Sequence, residues 1–294
     1  MIDLEGLSEA LAARVDAAAA MLAGVRASAD GRALSGIVWQ AGVVVTSEQA
    51  LPAADSYHVA LPGGAVAKAA LAGRDTGTNV AVLRVEGQPA AAAPAEAPIP
   101  RPGALAIAVG DGPAARLALV AEAGPAWHSM AGGKIDAKLR LDMRATRAEE
   151  GGPVLDAAGR LIGMATAGPR GQALVIPFAT IARAVEPLLA HGRVRRGWLG
   201  LGLQPVAVPQ ALAAEAGQPA GLMIASLAAG GPGEQAGCLP GDILLALDGA
   251  SVMRPRALRA ALGPDRVGAQ LSLRLIRAGR IQTLAAVVAV RPDE

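Results

Sequence analysis

The stretch Gly73-Arg74-Asp75-Thr76-Gly77-Thr78-Asn79-Val80-Ala81-Val82-Leu83-Arg84-Val85 ends on Val80 to Val85, an apolar run of strand length. Runs of the same kind recur on both sides of it: Ile37-Val38-Trp39, Val43-Val44-Val45, Tyr57 to Leu61, Leu105 to Val109, Leu117 to Val120 and Leu161 to Thr166. Turn signals such as Pro62-Gly63-Gly64 and Ala158-Gly159-Arg160 separate several of them. Many short strands with frequent turns predict a mainly β chain, arranged as an antiparallel barrel or sandwich. Gln88 to Pro102, rich in Pro and Ala, reads as a connector between two strand groups.

Outside this region the period changes. Leu4, Leu7, Leu11, Val15, Ala18, Leu22 and Val25 recur at three- and four-residue steps, predicting an amphipathic N-terminal helix over 4–27. Asp3 is its expected N-cap, and Asp30-Gly31 its end. It reads as a helix docked on its own domain or one used in self-association. A second helix is expected over Phe178 to Ala190, with Ile181, Val185, Leu188 and Leu189 on its apolar face. From Arg195 short strands alternate with Gly-rich turns and a helix near Pro255 to Leu262, a segment long enough for a domain. The expected division is 1–30, 31–192 and 193–294.

Bulk chemistry excludes several function classes. Hydrophobic residues make up 52% but aromatic ones only 2%, so the cores must be aliphatic. The formal charge is +2, and no basic block is interleaved with aromatics, so no nucleic-acid partner is expected. Cys238 stands alone in an apolar stretch and reads as a small buried hydrophobe. His58, His128 and His191 lack ligand spacing, so neither a metal nor another cofactor is expected. The start, Met1-Ile2-Asp3-Leu4-Glu5, is acidic where a secretory signal is basic, and Ala17 to Val25 is too short to span a bilayer. The expectation is a cytoplasmic chain without membrane insertion, or a periplasmic one if the sequence is a mature fragment.

Five segments in order resemble the HtrA (Deg) family of trypsin-fold serine proteases. They are Ser35-Gly36-Ile37-Val38 with Val43-Val44-Val45-Thr46; the Gly73 to Val85 stretch; Gly151-Gly152-Pro153-Val154 with Gly159-Arg160-Leu161-Ile162-Gly163; Val175-Ile176-Pro177; and Arg196-Gly197-Trp198-Leu199-Gly200. The resemblance implies a trypsin-like double β-barrel behind the N-terminal helix.

At the positions where the family carries its triad, this sequence departs. Gln49 stands in the His place, Asn79 in the Asp place and Glu150 in the Ser place. An amide has no basic lone pair near neutral pH, a neutral Asn cannot stabilise an imidazolium, and Glu150 supplies no hydroxyl nucleophile. Ala148 replaces a family Gly of the oxyanion loop. His58 lies within a strand, and His128 is merely adjacent to Ser129. The expectation is a pseudoprotease. The alternatives are an active HtrA-type endopeptidase in protein quality control, or a Glu150–Gln49 pair working like a glutamic peptidase in acid.

Residues 195 to 294 resemble an HtrA-type PDZ domain, a small α+β barrel. The matching stretches are Arg196 to Leu201, Gly221-Leu222-Met223-Ile224, Gly231 to Gly237, and Pro240-Gly241-Asp242-Ile243 through Asp248-Gly249. The resemblance implies capture of peptide or protein C-termini. N–H groups of Leu199, Gly200 and Leu201 would hold the carboxylate, with Arg195 and Arg196 nearby. Trp198 belongs to the same loop, and the strand through Leu203 would offer an edge. Leu258 and Leu262 would line the pocket for the last side chain, or serve only as core. The implied role is a scaffold, chaperone-like or regulatory subunit, as a homo-oligomer or a hetero-oligomer with active relatives.

Overall fold

The computed structural model of the chain describes residues 3–28, 31–87, 94–112, 114–290 and 292. The chain divides into two compact units, one of residues 1–129 with 134–194 and one of 130–133 with 195–294. The first unit is two closed six-stranded β-barrels with an N-terminal helix, and the second is built on a separate sheet.

The first barrel contains β1 (Leu22–Arg26), β2 (Leu34–Gln40), β3 (Val43–Ser47), β4 (Tyr57–Ala60), β5 (Val66–Asp75) and β6 (Val80–Val85). They close in the order β1-β2-β3-β6-β5-β4. The second contains β7 (Leu105–Gly110), β8 (Ala114–Gly124), β11 (Lys138–Arg144), β12 (Pro153–Asp156), β13 (Leu161–Ala167) and β14 (Gln172–Pro177). A small ribbon, β9 (Trp127–His128) with β10 (Lys134–Ile135), lies between β8 and β11 along the chain.

Strand alternation explains why Val43 to Val45 of β3 and Val80 to Leu83 of β6 are apolar without a break. Val44, Ala81 and Leu83 fill the first barrel beside Tyr57 and Val59. Val43, Val45, Val80 and Val82 face the other way, into a core shared with Ile107, Val109, Leu155, Leu161 and Met164 of the second barrel. Successive side chains point to opposite faces, and here both faces are dry. Helix α2 (Phe178–His191) covers that shared core with Ile181, Ala184, Val185 and Leu188, and ends on Gly192 in the left-handed region at φ 72°.

The helix predicted over 4–27 is shorter than its periodicity indicates. α1 runs Leu4–Ala18, a 3₁₀ turn follows over Ala19–Met21, and the chain continues as β1. Asp3 caps α1, accepting from the Gly6 N–H at 3.0 Å. β1 pairs with both β2 and β4 and so closes the first barrel. That closure pairs 22–25 with β2 and 24–26 with β4 and buries Ala23 and Val25, outweighing a helical pattern that Gly24 already weakens. Leu11 and Val15 pack on the shared core, but Leu4 and Leu7 remain exposed. Asp30 and 88–93 of the expected connector lie outside the described residues.

The second unit pairs β15 (Gly197–Trp198) with β22 (Ala289–Val290). Its main sheet has the order β16-β17-β18-β20-β21, where β16 is Leu201–Ala207, β17 Ala220–Leu227, β18 Ile243–Leu247, β20 Gln270–Arg277 and β21 Arg280–Val287. β19 (Ala250–Ser251) pairs with β18. Helices α3 (Gln210–Ala216), α4 (Pro232–Gln235) and α5 (Pro255–Ala261) complete it. Cys238 is buried in its core, and burial, then the nearby Asp242 carboxylate, push its thiol pKa up, away from reactivity.

Candidate functional sites: the inter-barrel cleft and the edge of the second sheet

Three turns deliver side chains to the cleft between the barrels. The turn after β3 carries Gln49. Arg74 steadies it by donating to the Leu51 carbonyl at 2.8 Å and pairing with Glu48 at 3.5 Å. The turn between β5 and β6 carries Asn79, whose φ of 58° is one that Asn tolerates. Asp75 shapes that turn by accepting from the Gly77 N–H, the Thr78 N–H and the Thr78 hydroxyl. The third turn, 146–152, carries Glu150. Gly151 has φ 85°, and a Cβ there would fall on the Ser35 carbonyl oxygen, so only glycine lets this turn reach β2.

The structure brings Gln49, Asn79 and Glu150 together in one hydrogen-bonded cluster, with two members the sequence reading missed, Ser47 and Thr166. The buried Glu150 carboxylate accepts through Oε1 from the Ser47 hydroxyl (2.6 Å), the Thr166 hydroxyl (2.7 Å) and Gln49 Nε2 (3.1 Å). Its Oε2 accepts from the Ala167 N–H at 2.6 Å. Gln49 Nε2 also donates to Thr166 Oγ1 (2.8 Å) and the Ala167 carbonyl (2.9 Å). Asn79 accepts from the Gln49 N–H (2.7 Å) and donates to Thr166 (2.7 Å) and Ser47 (3.1 Å). Ser47, Gln49 and Asn79 come from the first barrel, and Glu150, Thr166 and Ala167 from the second. The cluster therefore staples the two barrels across the cleft.

Chemically this is a poor nucleophile site. The hydroxyls near Glu150 face a carboxylate and amides, and no imidazole is among the cluster's hydrogen-bonding partners. His58 sits in β4, pairing across to Arg26 and Lys68, and His128 sits in β9. Three donors converge on Oε1 and one reaches Oε2, so the carboxylate is held in place as a hydrogen-bond acceptor between the two barrels.

The turn itself is locked closed. The Glu150 N–H donates to the Thr146 carbonyl at 3.2 Å, forming one helical turn. Trypsin-like catalysis needs the N–H of the residue in the nucleophile position aimed at the oxyanion. Glu149, buried, reaches back to the Thr146 N–H (2.9 Å) and hydroxyl, and forms an ion pair with Arg116 at 2.7 Å. Burial works to raise the Glu149 pKa, but Thr146 and Arg116 outweigh it and hold the carboxyl below its ordinary range. Thr146-x-x-Glu149 is a capping-box pattern, a signal visible in the sequence that the reading above did not use. Ala148, read there as a Cβ in a tight bend, is not in the left-handed region. Its carbonyl instead accepts from the Ser35 hydroxyl and the Asp111 N–H.

In the second unit, β16 is an edge strand that pairs with β17 alone among the described residues. The loop entering it, Trp198-Leu199-Gly200, bends at Gly200 with φ 71°. Its carbonyls are tied down: Leu199 accepts from the Gly233 N–H (2.7 Å) and Gly200 from the Ala228 N–H (2.8 Å). Among the described residues, no backbone carbonyl accepts from the Leu199 or Gly200 N–H groups. The Trp198 ring edge lies on this loop, 3.3 Å from where a Gly200 Cβ would stand, so it props the bend. Leu258 and Leu262, buried, pack in one cluster with Leu199, Leu201 and Leu203, while Arg196 is half-buried. The Leu262 carbonyl accepts from the Gly197 N–H at 3.0 Å, placing the end of α5 beside the loop.

Residues 34–164 match the trypsin-like peptidase domain, and residues 197–288 match the PDZ domain. The chain is 28% identical over 271 residues to "Probable periplasmic serine endoprotease DegP-like" of Brucella suis biovar 1 (strain 1330), covering 88% of this chain and 52% of that protein. A protein of the same description from Rhizobium meliloti (strain 1021) is 28% identical over 265 residues, covering 86% and 52%. The chain thus spans about half the length of these relatives. Among solved structures it is similar to "HtrA-type protease AlgW with decapeptide", at TM-score 0.74 and 25% identity over 96% of this chain and 99% of that one. It is also similar to "HtrA-type protease AlgW with tripeptide", at TM-score 0.73 and 27% identity over 96% and 98%.

Proposed function

We propose that this chain, similar to HtrA/DegP-like proteins in its trypsin-like peptidase and PDZ domains, has a catalytically silent peptidase domain and works by binding peptide C-termini. One observation carries the first half: a carboxylate, held by donors on both of its oxygens, occupies the centre of the cleft where a hydroxyl nucleophile would be needed. The closed 146–150 turn supports the same reading, because its N–H is spent on Thr146.

The second half rests on the loop before β16. Two N–H groups without carbonyl acceptors, at a glycine bend, form a concave donor set suited to a carboxylate. An unpaired strand edge and buried leucines beside it would hold an extended segment with an aliphatic last residue. The AlgW complexes with a decapeptide and a tripeptide add analogy for a peptide ligand. In this reading the protein is a scaffold or regulatory subunit for proteins with accessible C-termini.

Two measurements test it. Fluorophosphonate treatment is expected to label no serine, and a labelled serine would refute the silent peptidase. A peptide ending in a free aliphatic residue is expected to lose about ten- to a hundredfold in affinity when amidated, as charge-assisted bonds are lost. Equal affinity of the amidated twin would refute carboxylate capture.

A further inference from the structure

The free edge of β16 carries one residue that cannot donate. The Val208 N–H donates to the Pro219 carbonyl at 2.9 Å, so Val208 faces β17. The register continues with Val206↔Gly221 and Gln204↔Met223. Hydrogen-bonded pairs in an antiparallel ladder recur at every second residue. Val206 and Gln204 therefore turn their N–H and C=O toward β17, whereas Leu203, Pro205 and Ala207 turn theirs outward. The register shift between Gly202 and Leu203 skips Ala225 on β17, so the alternation along β16 is unbroken. At the strand's start the Gly200 carbonyl is already bonded to the Ala228 N–H, which leaves Leu201 facing outward as well.

The outward edge is thus a short ladder. Leu201 and Leu203 each offer an N–H and a C=O, but Pro205 offers only a C=O, because its ring nitrogen has no hydrogen. A peptide with its carboxylate at the 198–200 loop must run antiparallel to β16. Its last residue then lies opposite Leu201, the residue two before it opposite Leu203, and the residue four before it opposite Pro205. At that last place the peptide's carbonyl meets no donor.

We infer that Pro205 is a length stop, so that the PDZ domain pairs fully with only about the last four residues of a C-terminal tail and gains little from backbone further upstream, because the ladder loses its donor opposite Pro205 and keeps only that residue's C=O. The inference rests on the carboxylate-capture reading above and adds the length of chain recognised. A ligand of this kind needs only a short frayed tail, not a long unfolded segment. Proline also blunts exposed edges against non-specific strand pairing, a role compatible with the same geometry but silent on ligand length.

The test uses the full chain and free-acid peptides ending in Val, lengthened from three to eight residues by N-terminal alanines, with an amidated twin of each. Affinity is expected to rise to four residues and then stay within about twofold. In Pro205→Ala, which restores a donor at an exposed edge position, peptides of six to eight residues are expected to gain roughly two- to tenfold over the four-residue peptide. Affinity that keeps climbing beyond five residues in the natural chain, or a length profile unchanged by Pro205→Ala, overturns the length stop while leaving carboxylate capture intact. Amidated twins that bind as well as free acids, or no binding by any peptide, overturn both readings together.

Discussion

Glu150→Gln is the most informative single perturbation of the cleft. The substitution keeps shape and volume but exchanges one acceptor oxygen for an NH₂ group. If the NH₂ replaces Oε2, it confronts the Ala167 N–H, which can only donate and now stands 2.6 Å from the lost acceptor. If it replaces Oε1, it confronts Gln49 Nε2, another obligate donor, and Thr166, whose oxygen already accepts from Gln49 and Asn79. Neither orientation satisfies the site. Losing one charge-assisted bond costs about 1.5–3 kcal/mol, and a buried donor left without a partner costs about 1–3 kcal/mol. Relief of carboxylate desolvation offsets part of this, leaving a net destabilisation of about 2–4 kcal/mol. For a unit of this size the melting temperature should fall by roughly 5–10 °C. Calorimetry of the full chain reads that shift, and chemical denaturation gives the free energy. A double-mutant cycle with Ser47→Ala should return a coupling above about 0.5 kcal/mol. A shift below about 1 °C with no coupling would mean that water, not these four donors, satisfies Glu150, and the staple between the barrels would be refuted.

Other expectations follow from the same geometry. The triple replacement Gln49→His, Asn79→Asp, Glu150→Ser should remain unlabelled by fluorophosphonates, because the N–H at 150 is held by Thr146; prompt labelling would show that the 146–150 turn opens freely. Since the Glu149 pKa is lowered in the folded state, its stabilising contribution is complete above the ordinary glutamate value and is lost as pH falls through the lower folded value. Glu149→Gln should therefore flatten the acid limb of the stability–pH curve below about pH 4.5, and an unaltered limb would remove Glu149 from the lock. Gly200→Ala places a Cβ 3.2 Å from the Ala228 Cβ at a φ of 71°. Peptide affinity should drop at least about tenfold while the cleft unit melts unchanged, since an L-residue there costs on the order of 1 kcal/mol and shifts the loop.

Local pattern alone determined much of this protein. Val43 to Val45 and Val80 to Leu83 had to be strands with both faces buried, and Phe178 to Ala190 had to be a helix with one apolar face. The residue types at 49, 79 and 150 were also plain without coordinates: an amide, an amide and a carboxylate, with neither a hydroxyl nor an imidazole among them. What sequence periodicity could not decide was the fate of 22–26, because Leu22 and Val25 suit a helix and a strand equally. Only the gap between β2 and β4 selects the strand. The partners of Glu150 were equally hidden, since Ser47, 103 residues away on the first barrel, and Thr166, on the second, are ordinary strand-end hydroxyls until folding sets both within 2.7 Å of one carboxylate. The outward aim of Pro205 likewise depends on register. Propensity acts over a few neighbours, whereas ladder pairing and a buried hydrogen-bond cluster are satisfied only by groups that tertiary folding brings together.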